Sequence, residues 1–479
     1  MAFDLRNQCI VSKNGRIAGA DLATLQAAIK SASDSDKPIL IWFHGGLVSS
    51  AAGFEVAKFV GTHFDAKSAD VHPLFFVWES GPATAIYDAL VALLRRKLGQ
   101  GAIDIITKLL RLKLSLPPLF GAEGFDPLEL SETEKEILRE AAAAHPDLQA
   151  EAMHFALGAN ALGLDGVVNG AIEKPDRELE RKIDDYLKAK RKEVEAEEMT
   201  KPADKRDLNF DLGGWLAKVI GQFLIEVTIN VLSRYRSKRN HDLKETIIEE
   251  AMRIFALGGE TWTQIKRDVE AAFDDDQNAV GRVFAAELKQ ALQNSPNRRV
   301  IFAGHSAGSI YVCHLLEELD RIGFAGKVDV RFLAAAARFD LVEDTFKNYG
   351  HLIDDIRSFA LSDRLEQGEA LLAGAPYVGS IPLLKNMYMG SLLYLVSGCF
   401  EAEPDCPIFG MQRFVDKIPA LTADEVKMVD SAAEFLKGKS ANGFVWSGIA
   451  NPGGNGFACT STDHGGFDED LTCINNVLI

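Results

Sequence analysis

The sequence predicts an α/β protein in which a mostly parallel sheet is flanked by helices and interrupted by one large, all-helical insertion. Continuous apolar runs, the pattern of strands buried on both faces of a parallel sheet, occur on both sides of a long region without strand signal. Helical patterns alternate with these runs, as in β-α-β units. The 479 residues also exceed what one hydrophobic core usually supports. We therefore expect a discontinuous α/β domain, residues 1–82 and 276–479, around a helical insertion or cap at 83–275.

The first part of the sheet is predicted before the insertion. Its clearest strand is an apolar run that ends abruptly at His44-Gly45-Gly46, and a second run that ends at Trp78 completes a β-α-β unit. In chain order, we expect a strand pair at 9–17, a helix at 21–31, a strand at 38–43, a helix at 51–64 and a strand at 74–78.

The insertion is predicted as a series of helices. The most highly charged of them is interpreted as a solvated helix held by ion pairs between residues four apart. The expected helices are 83–98, 101–113, 131–144, 147–163, 174–200, 214–236 and 241–257.

One insertion helix, around 215–232, is apolar over most of its surface. Its polar residues Lys218, Gln222, Glu226 and Asn230 recur every four positions and form one narrow stripe. The helix is about as long as a membrane span, but a central lysine and glutamate would be costly in lipid. We interpret it as a packed cap helix, with a mobile lid or a contact with a membrane surface as the alternative.

The alternation of helices and strands resumes after the insertion. This return to an α/β pattern predicts that both parts of the chain build one sheet. The expected elements are helices at 278–293, 307–322, 342–349, 423–437 and 467–477, and strands at 300–303, 328–335, 356–361 and 391–396.

Charge and cysteine content exclude several classes of protein. The net charge of −17 argues against a nucleic-acid-binding surface, which needs clustered lysine and arginine. Six cysteines without C-x-x-C spacing favour reduced thiols, and only Cys459 and Cys473 are placed to bridge a loop. Because the N-terminus lacks a basic start followed by an apolar segment, we expect no secretory signal and a cytoplasmic protein. The oligomeric state is left open.

Ser306 is the predicted nucleophile. It lies in Gly304-His305-Ser306-Ala307-Gly308, a G-x-S-x-G sequence between the apolar run 300–303 and an amphipathic helix. A sharp turn from strand to helix exposes a serine oxygen above the sheet, and small flanking residues let the backbone pass close behind it. The following helix directs its first N–H groups to the same point.

A serine nucleophile needs a histidine base and an acid that orients it. We select His464, in a glycine-rich loop before the last helix, and Asp363, directly after the strand 356–361. Asp340, which also follows a strand, and Asp463, beside the proposed base, are the alternatives for the acid.

Taken together, these residues resemble the α/β-hydrolase superfamily of serine esterases and lipases, in which nucleophile, acid and histidine follow in this order. The resemblance covers residues 36–82 and 278–479 and implies an acyl-enzyme mechanism without metal or cofactor. It also implies an oxyanion hole formed by the N–H of Ala307 and an N–H from the loop after the strand 38–43, that is, from Gly45, Gly46 or Leu47. His305 and His44 are expected to shape the turn and the loop.

The position of the insertion, before the nucleophile strand, departs from the family, where a cap more often follows the next strand. An apolar cap over the site suggests a small-molecule or lipid ester with a hydrophobic acyl group as substrate. The alternatives are a serine peptidase or amidase with the same triad, and a non-catalytic protein whose helical insertion binds a partner.

Overall fold

The computed structural model describes residues 3–17, 22–46, 48–78, 103–110, 132–144, 189, 192–193, 196, 212–254, 259–295, 297–371, 388–440, 442–449 and 454–479. These residues form one eight-stranded sheet flanked by helices, which confirms the predicted α/β class.

The sheet has the order β2-β1-β4-β3-β5-β6-β7-β8. Every neighbouring pair is parallel except β1 and β2, which form an antiparallel hairpin at one edge. Strands from both sides of the insertion therefore share one sheet, and β3 and β5 lie side by side at its centre. The strands are β1 (Cys9–Lys13), β2 (Arg16–Ile17), β3 (Ile39–Phe43), β4 (His72–Trp78), β5 (Val300–His305), β6 (Val328–Leu333), β7 (Ile353–Leu361) and β8 (Phe444–Ser447).

Two hydrophobic cores cover the two faces of the sheet. In β3, Ile39, Ile41 and Phe43 enter one core, whereas Leu40 and Trp42 enter the other. This alternation is the side-chain period of a strand, and burial on both faces explains why the run is apolar throughout.

Helices pack on both faces of the sheet and continue into the insertion. The helices are α1 (Leu5–Gln8), α2 (Leu22–Ser33), α3 (Ser50–Ala66), α4 (Glu132–Ala144), α5 (Leu212–Arg236), α6 (Leu243–Ile254), α7 (Gly259–Ala271), α8 (Val280–Ala291), α9 (Gly308–Arg321), α10 (Phe339–Tyr349), α11 (Asp363–Glu366), α12 (Leu392–Leu395), α13 (Gln412–Val415), α14 (Ala423–Lys439) and α15 (Leu471–Val477). Residues 103–110 are also helical.

The helices predicted at 101–113, 131–144, 214–236 and 241–257 are confirmed where the structure describes them. Those predicted at 83–98 and 147–163 lie outside the described residues, and of 174–200 only four residues are described, all helical. The stripe residues of α5 are half-buried between buried neighbours, as a packed helix requires. No helix among the described residues is long and apolar enough to cross a membrane.

Arg234, near the end of α5, joins three parts of the chain. Its guanidinium lies 2.6 Å from Glu249 and 3.1 Å from Glu250 on α6, and 2.7 Å from Asp405. All four side chains are at most 3% exposed. The insertion is therefore fixed to the segment after α12 by a buried charge cluster.

A second buried carboxylate, Glu401, holds α7. It accepts hydrogen bonds from Trp262 Nε1 at 2.6 Å and from Lys266 Nζ at 2.8 Å. Because Glu401 follows the short segment Val396–Phe400, both ties connect the insertion with the same stretch of the second half of the chain.

Three features differ from the prediction, one of them in the insertion and two in the second half of the chain. The strand predicted at 391–396 is wrong, because this run forms α12, whose N-terminus is capped by the Ser391 side chain. The last strand, β8, and helix α7 were not predicted. All six cysteines are free, including Cys459 and Cys473.

Candidate active site

Ser306 occupies a strained turn between β5 and α9. Its φ angle is +52°, a left-handed conformation that non-glycine residues rarely adopt. The turn is held by its neighbours: Ser306 N–H donates to the Leu333 carbonyl at 2.8 Å, and the Ser306 carbonyl accepts from Ala336 N–H at 3.1 Å. The segment after β6 thus fixes the backbone of the predicted nucleophile.

Glycines on either side of Ser306 allow this turn. A methyl group added at Gly304 would lie 2.7 Å from the Gly308 carbonyl oxygen, and one added at Gly308 would collide with the Phe43 carbonyl. The strand β5, the start of α9 and the end of β3 therefore approach one another more closely than side chains would permit. This explains the small residues of the G-x-S-x-G sequence.

The structure brings Ser306 and His464 together. The Ser306 hydroxyl donates to His464 Nε2, with oxygen and nitrogen 2.9 Å apart. Burial, together with the charge of nearby His305, lowers the pKa of His464 well below its usual range. The ring is neutral at neutral pH and able to accept the serine proton, as a general base must.

The predicted oxyanion residues lie around the same turn. Ala307 precedes α9, and among the described residues no acceptor is bonded to its N–H. The loop after β3 lies against the turn, since a methyl group added at Gly45 would be 3.3 Å from Ser306 Cβ, and one at Gly46 would be 3.0 Å from Ala307 Cβ. Leu47 lies outside the described residues.

His44 supports this loop from within the protein. Its Nδ1 donates to the Gly45 carbonyl at 2.7 Å, and its Nε2 accepts from the Trp78 backbone N–H at 3.1 Å. Burial lowers the pKa of His44 to about 4. The neutral ring has one donor and one acceptor, and both are used to join β4 to the loop.

The predicted acid, Asp363, does not contact His464. Its carboxylate accepts hydrogen bonds from Tyr394 Oη and Gln367 Nε2, each at 2.7 Å. The physical reason is local: the chain turns into α11 directly after β7 and carries the Asp363 side chain to α12.

Neither alternative acid is bonded to the His464 ring either. Asp340 is half-exposed and paired with Arg338, and Asp463 accepts from the Thr462 hydroxyl beside it.

Glu369 is the carboxylate that the chain brings to His464. The Glu369 side chain interacts with the His464 backbone N–H, which lowers the pKa of Glu369. Burial has the larger effect and raises this pKa to about 8. Among the described residues, its buried Oε2 has no hydrogen-bond partner, and neither has His464 Nδ1. Glu369 follows β7 in the same segment as Asp363. The sequence-based prediction took the acidic residue nearest to the end of the strand and therefore missed Glu369.

His305 and Asp468 form a second pair at the site that sequence reasoning missed. His305 Nδ1 lies 2.8 Å from Asp468 Oδ2, and its Nε2 lies 3.0 Å from the His464 carbonyl oxygen. The available signal was the aspartate four residues after His464, together with the histidine inside the G-x-S-x-G sequence.

Two groups of described residues have ligand-type atoms within 4.8 Å of one another. In the group of His241, Glu249 and Asp405, the Arg234 guanidinium already occupies the carboxylates. In the group of Cys459, Asp470 and Cys473, both oxygens of Asp470 accept hydrogen bonds from Thr460. Protein donors therefore already use the carboxylates of both groups.

The arrangement of Ser306, His464 and the Ala307 N–H can carry out nucleophilic attack on a carbonyl group. Comparison with known proteins adds no relative to this picture: no protein-family model matches the chain, and the comparisons with curated proteins and with solved structures give no match.

Proposed function

We propose that this protein is a serine hydrolase that cleaves carboxylic esters through an acyl-enzyme intermediate. The observation that carries the proposal is the 2.9 Å hydrogen bond from Ser306 to His464, made at a residue held at φ +52° after a parallel strand. Backbone strain that the surrounding structure enforces at a buried hydroxyl is typical of functional sites. An α/β-hydrolase-type fold is part of the same proposal, supported by Ser306 after β5 and His464 after β8.

In the proposed reaction, Ser306 Oγ attacks the ester carbonyl carbon while its proton passes to His464 Nε2. The Ala307 N–H and the loop 44–46 face the oxygen that becomes negatively charged. His464 then returns the proton to the leaving alcohol as the carbon–oxygen bond breaks. Water, activated by the same base, releases the acyl group and restores Ser306.

The surroundings of the oxyanion loop support a hydrophobic acyl group. Helix α7 covers the loop, and a methyl group added at Gly46 would lie 3.4 Å from Ile265 Cδ1. Ser306 and His464 are themselves only 3% and 4% exposed. This buried, partly apolar surrounding favours an apolar chain over a charged one.

Labelling with a fluorophosphonate probe tests the proposal. We expect folded wild-type protein to be labelled at Ser306, as shown by mapping of the modified peptide, and Ser306→Ala to be unlabelled. Ser431→Ala, at an exposed serine of α14, is the matched control and should be labelled like the wild type. Folded wild-type protein that remains unlabelled would overturn the proposal and favour the non-catalytic alternative.

Ester and amide substrates with the same acyl group separate the hydrolase classes. We expect turnover of esters that increases with acyl length, and a loss on the order of 10⁶ in turnover for Ser306→Ala or His464→Gln. Activity confined to amides would favour a peptidase or amidase.

A further inference from the structure

The ring of His305 uses both of its nitrogen atoms inside the protein. Nε2 lies 3.0 Å from the main-chain carbonyl oxygen of His464, which can only accept a hydrogen bond, so this nitrogen carries a proton. Nδ1 lies 2.8 Å from Asp468 Oδ2, a carboxylate oxygen. An ionised carboxylate also only accepts. The geometry is that of a doubly protonated, positively charged imidazolium between two acceptors.

The surroundings of His305 favour this charge. Burial by itself would lower the pKa of His305, but the charge and hydrogen bond of Asp468, the His464 carbonyl and the charge of Asp463 together raise it. His305 and Asp468 are both buried, so their interaction is little screened by solvent.

The positive charge of His305 lies beside the base. The ring centroids of His305 and His464 are 5.4 Å apart. Other titratable groups face this pair from every side: Asp463 and Asp468 from the histidine's own loop, His44 from the loop after β3, and Glu369 from the segment after β7. Of these groups, His44 is neutral above about pH 4.

We propose that His305 and Asp468 are a pair that positions the general base, His464. The pair holds His464 through the His464 main-chain carbonyl and places a fixed positive charge beside the His464 ring. The inference rests on the proposed function of Ser306 and His464. The charge of His305 disfavours a second positive charge on His464, so the base stays unprotonated into acidic solution. Activity should accordingly persist below pH 6.5, the usual pKa of histidine.

Nitrogen-15 NMR of the histidine rings tests the pair without reference to activity. At pH 7.5 we expect one buried ring with both nitrogens protonated, and we expect its signals to vanish in His305→Gln. If His305→Gln does not fold, Asp468→Asn serves instead and should convert the same ring to a neutral one. A neutral His305 ring in the wild type would overturn the proposal, whether or not the protein is a hydrolase.

The pH profile of kcat/KM with an ester substrate tests the effect on the base. His305→Gln and Asp468→Asn should move the acidic limb upward by about one pH unit and lower kcat more than they change KM. His351→Gln, at an exposed histidine outside the proposed site, is the control and should leave the pH profile of kcat/KM unchanged. If His305→Gln folds and the acidic limb of its pH profile does not move, the proposed electrostatic role is overturned. Failure of the fluorophosphonate probe to label Ser306 would separately contradict the proposed hydrolase function.

Discussion

Gly304 faces Gly308 across the turn that carries Ser306, so closely that a methyl group at Gly304 would lie 2.7 Å from the Gly308 carbonyl oxygen. On its other side, Gly308 packs against the Phe43 carbonyl at the end of β3. The position of Ser306 is therefore set by backbone packed on backbone, which has little freedom to relax. Such contacts make the turn rigid before any substrate arrives.

We expect Gly308→Ala to destabilise the protein by about 1–3 kcal/mol, because the added methyl group meets backbone that cannot move aside. The measurement is the free energy of unfolding from urea titration. Gly438→Ala is the matched control, since Gly438 lies in α14 with nothing within 4 Å of an added methyl group. It should stabilise the protein by about 0.5–1 kcal/mol. Equal effects of the two substitutions would contradict the packing argument.

Replacing Asp363 and Glu369, two of the acidic residues after β7, tests which of them orients His464. We expect Glu369→Gln to lower kcat more than Asp363→Asn does, because the Glu369 side chain interacts with the His464 backbone N–H. Asp363→Asn should retain most activity, because the Asp363 carboxylate is bonded to Tyr394 and Gln367. Steady-state kinetics with one ester substrate measures both. The opposite ranking would restore Asp363 as the acid and would require the segment after β7 to rearrange.

His44 should make the stability of the protein depend on pH. The pKa of His44 falls from 6.5 to about 4 on folding, mainly through burial, so between these values the unfolded chain binds a proton that the folded protein does not. Stability therefore decreases as the pH falls through this window, by about 3 kcal/mol from this residue. Urea titrations at pH 7.5 and pH 4.5 measure the change. His44→Gln should be less stable than the wild type at pH 7.5 but should lose less stability between pH 7.5 and pH 4.5. If variant and wild type lose the same stability over this range, His44 is excluded as a source of the pH dependence.

Arg234 should be essential for attachment of the insertion. We expect Arg234→Met to destabilise the protein by about 3–5 kcal/mol, because Glu249, Glu250 and Asp405 would remain buried without their shared cation. Arg236→Met, at an exposed position of the same helix, should change stability by less than about 0.5 kcal/mol. Thermal unfolding of the two variants provides the comparison, and a wild-type melting curve for Arg234→Met would contradict the assignment.

The central strands were predictable because both faces of each are buried. In β3 every side chain enters one of the two cores, so the apolar run and its end at His44 are visible in the sequence. The same pattern misled at 391–396, since a short apolar run is equally consistent with a buried helix. Ser391, whose side chain accepts from Tyr394 N–H, is the helix cap that decides between them.

The edge strand β8 shows the opposite difficulty. It has four residues, of which only Val445 and Ser447 are buried, so its hydrophobic signal is weak. Because β8 was not predicted, His464 appeared to follow a long irregular segment rather than to lie in the loop after the last strand.

The Ser306–His464 pair was predictable from chain order, because a base must be a histidine and few loops place one before a terminal helix. Its acid was not. Acidic residues are frequent after β7, and only the fold shows that Asp363 is bonded to Tyr394 while Glu369 interacts with the His464 backbone N–H. The role of His305 was equally invisible, because it depends on a main-chain carbonyl contributed by a residue 159 positions away.

The left-handed conformation of Ser306 implies a conflict between activity and stability. A non-glycine residue at φ +52° costs on the order of 1 kcal/mol relative to glycine, which adopts this conformation freely. Ser306→Gly should therefore melt at a higher temperature than Ser306→Ala, which loses the same hydroxyl group but keeps the left-handed conformation of a non-glycine residue. The backbone at this position favours glycine, so a serine here serves the proposed chemistry at a cost in conformational strain.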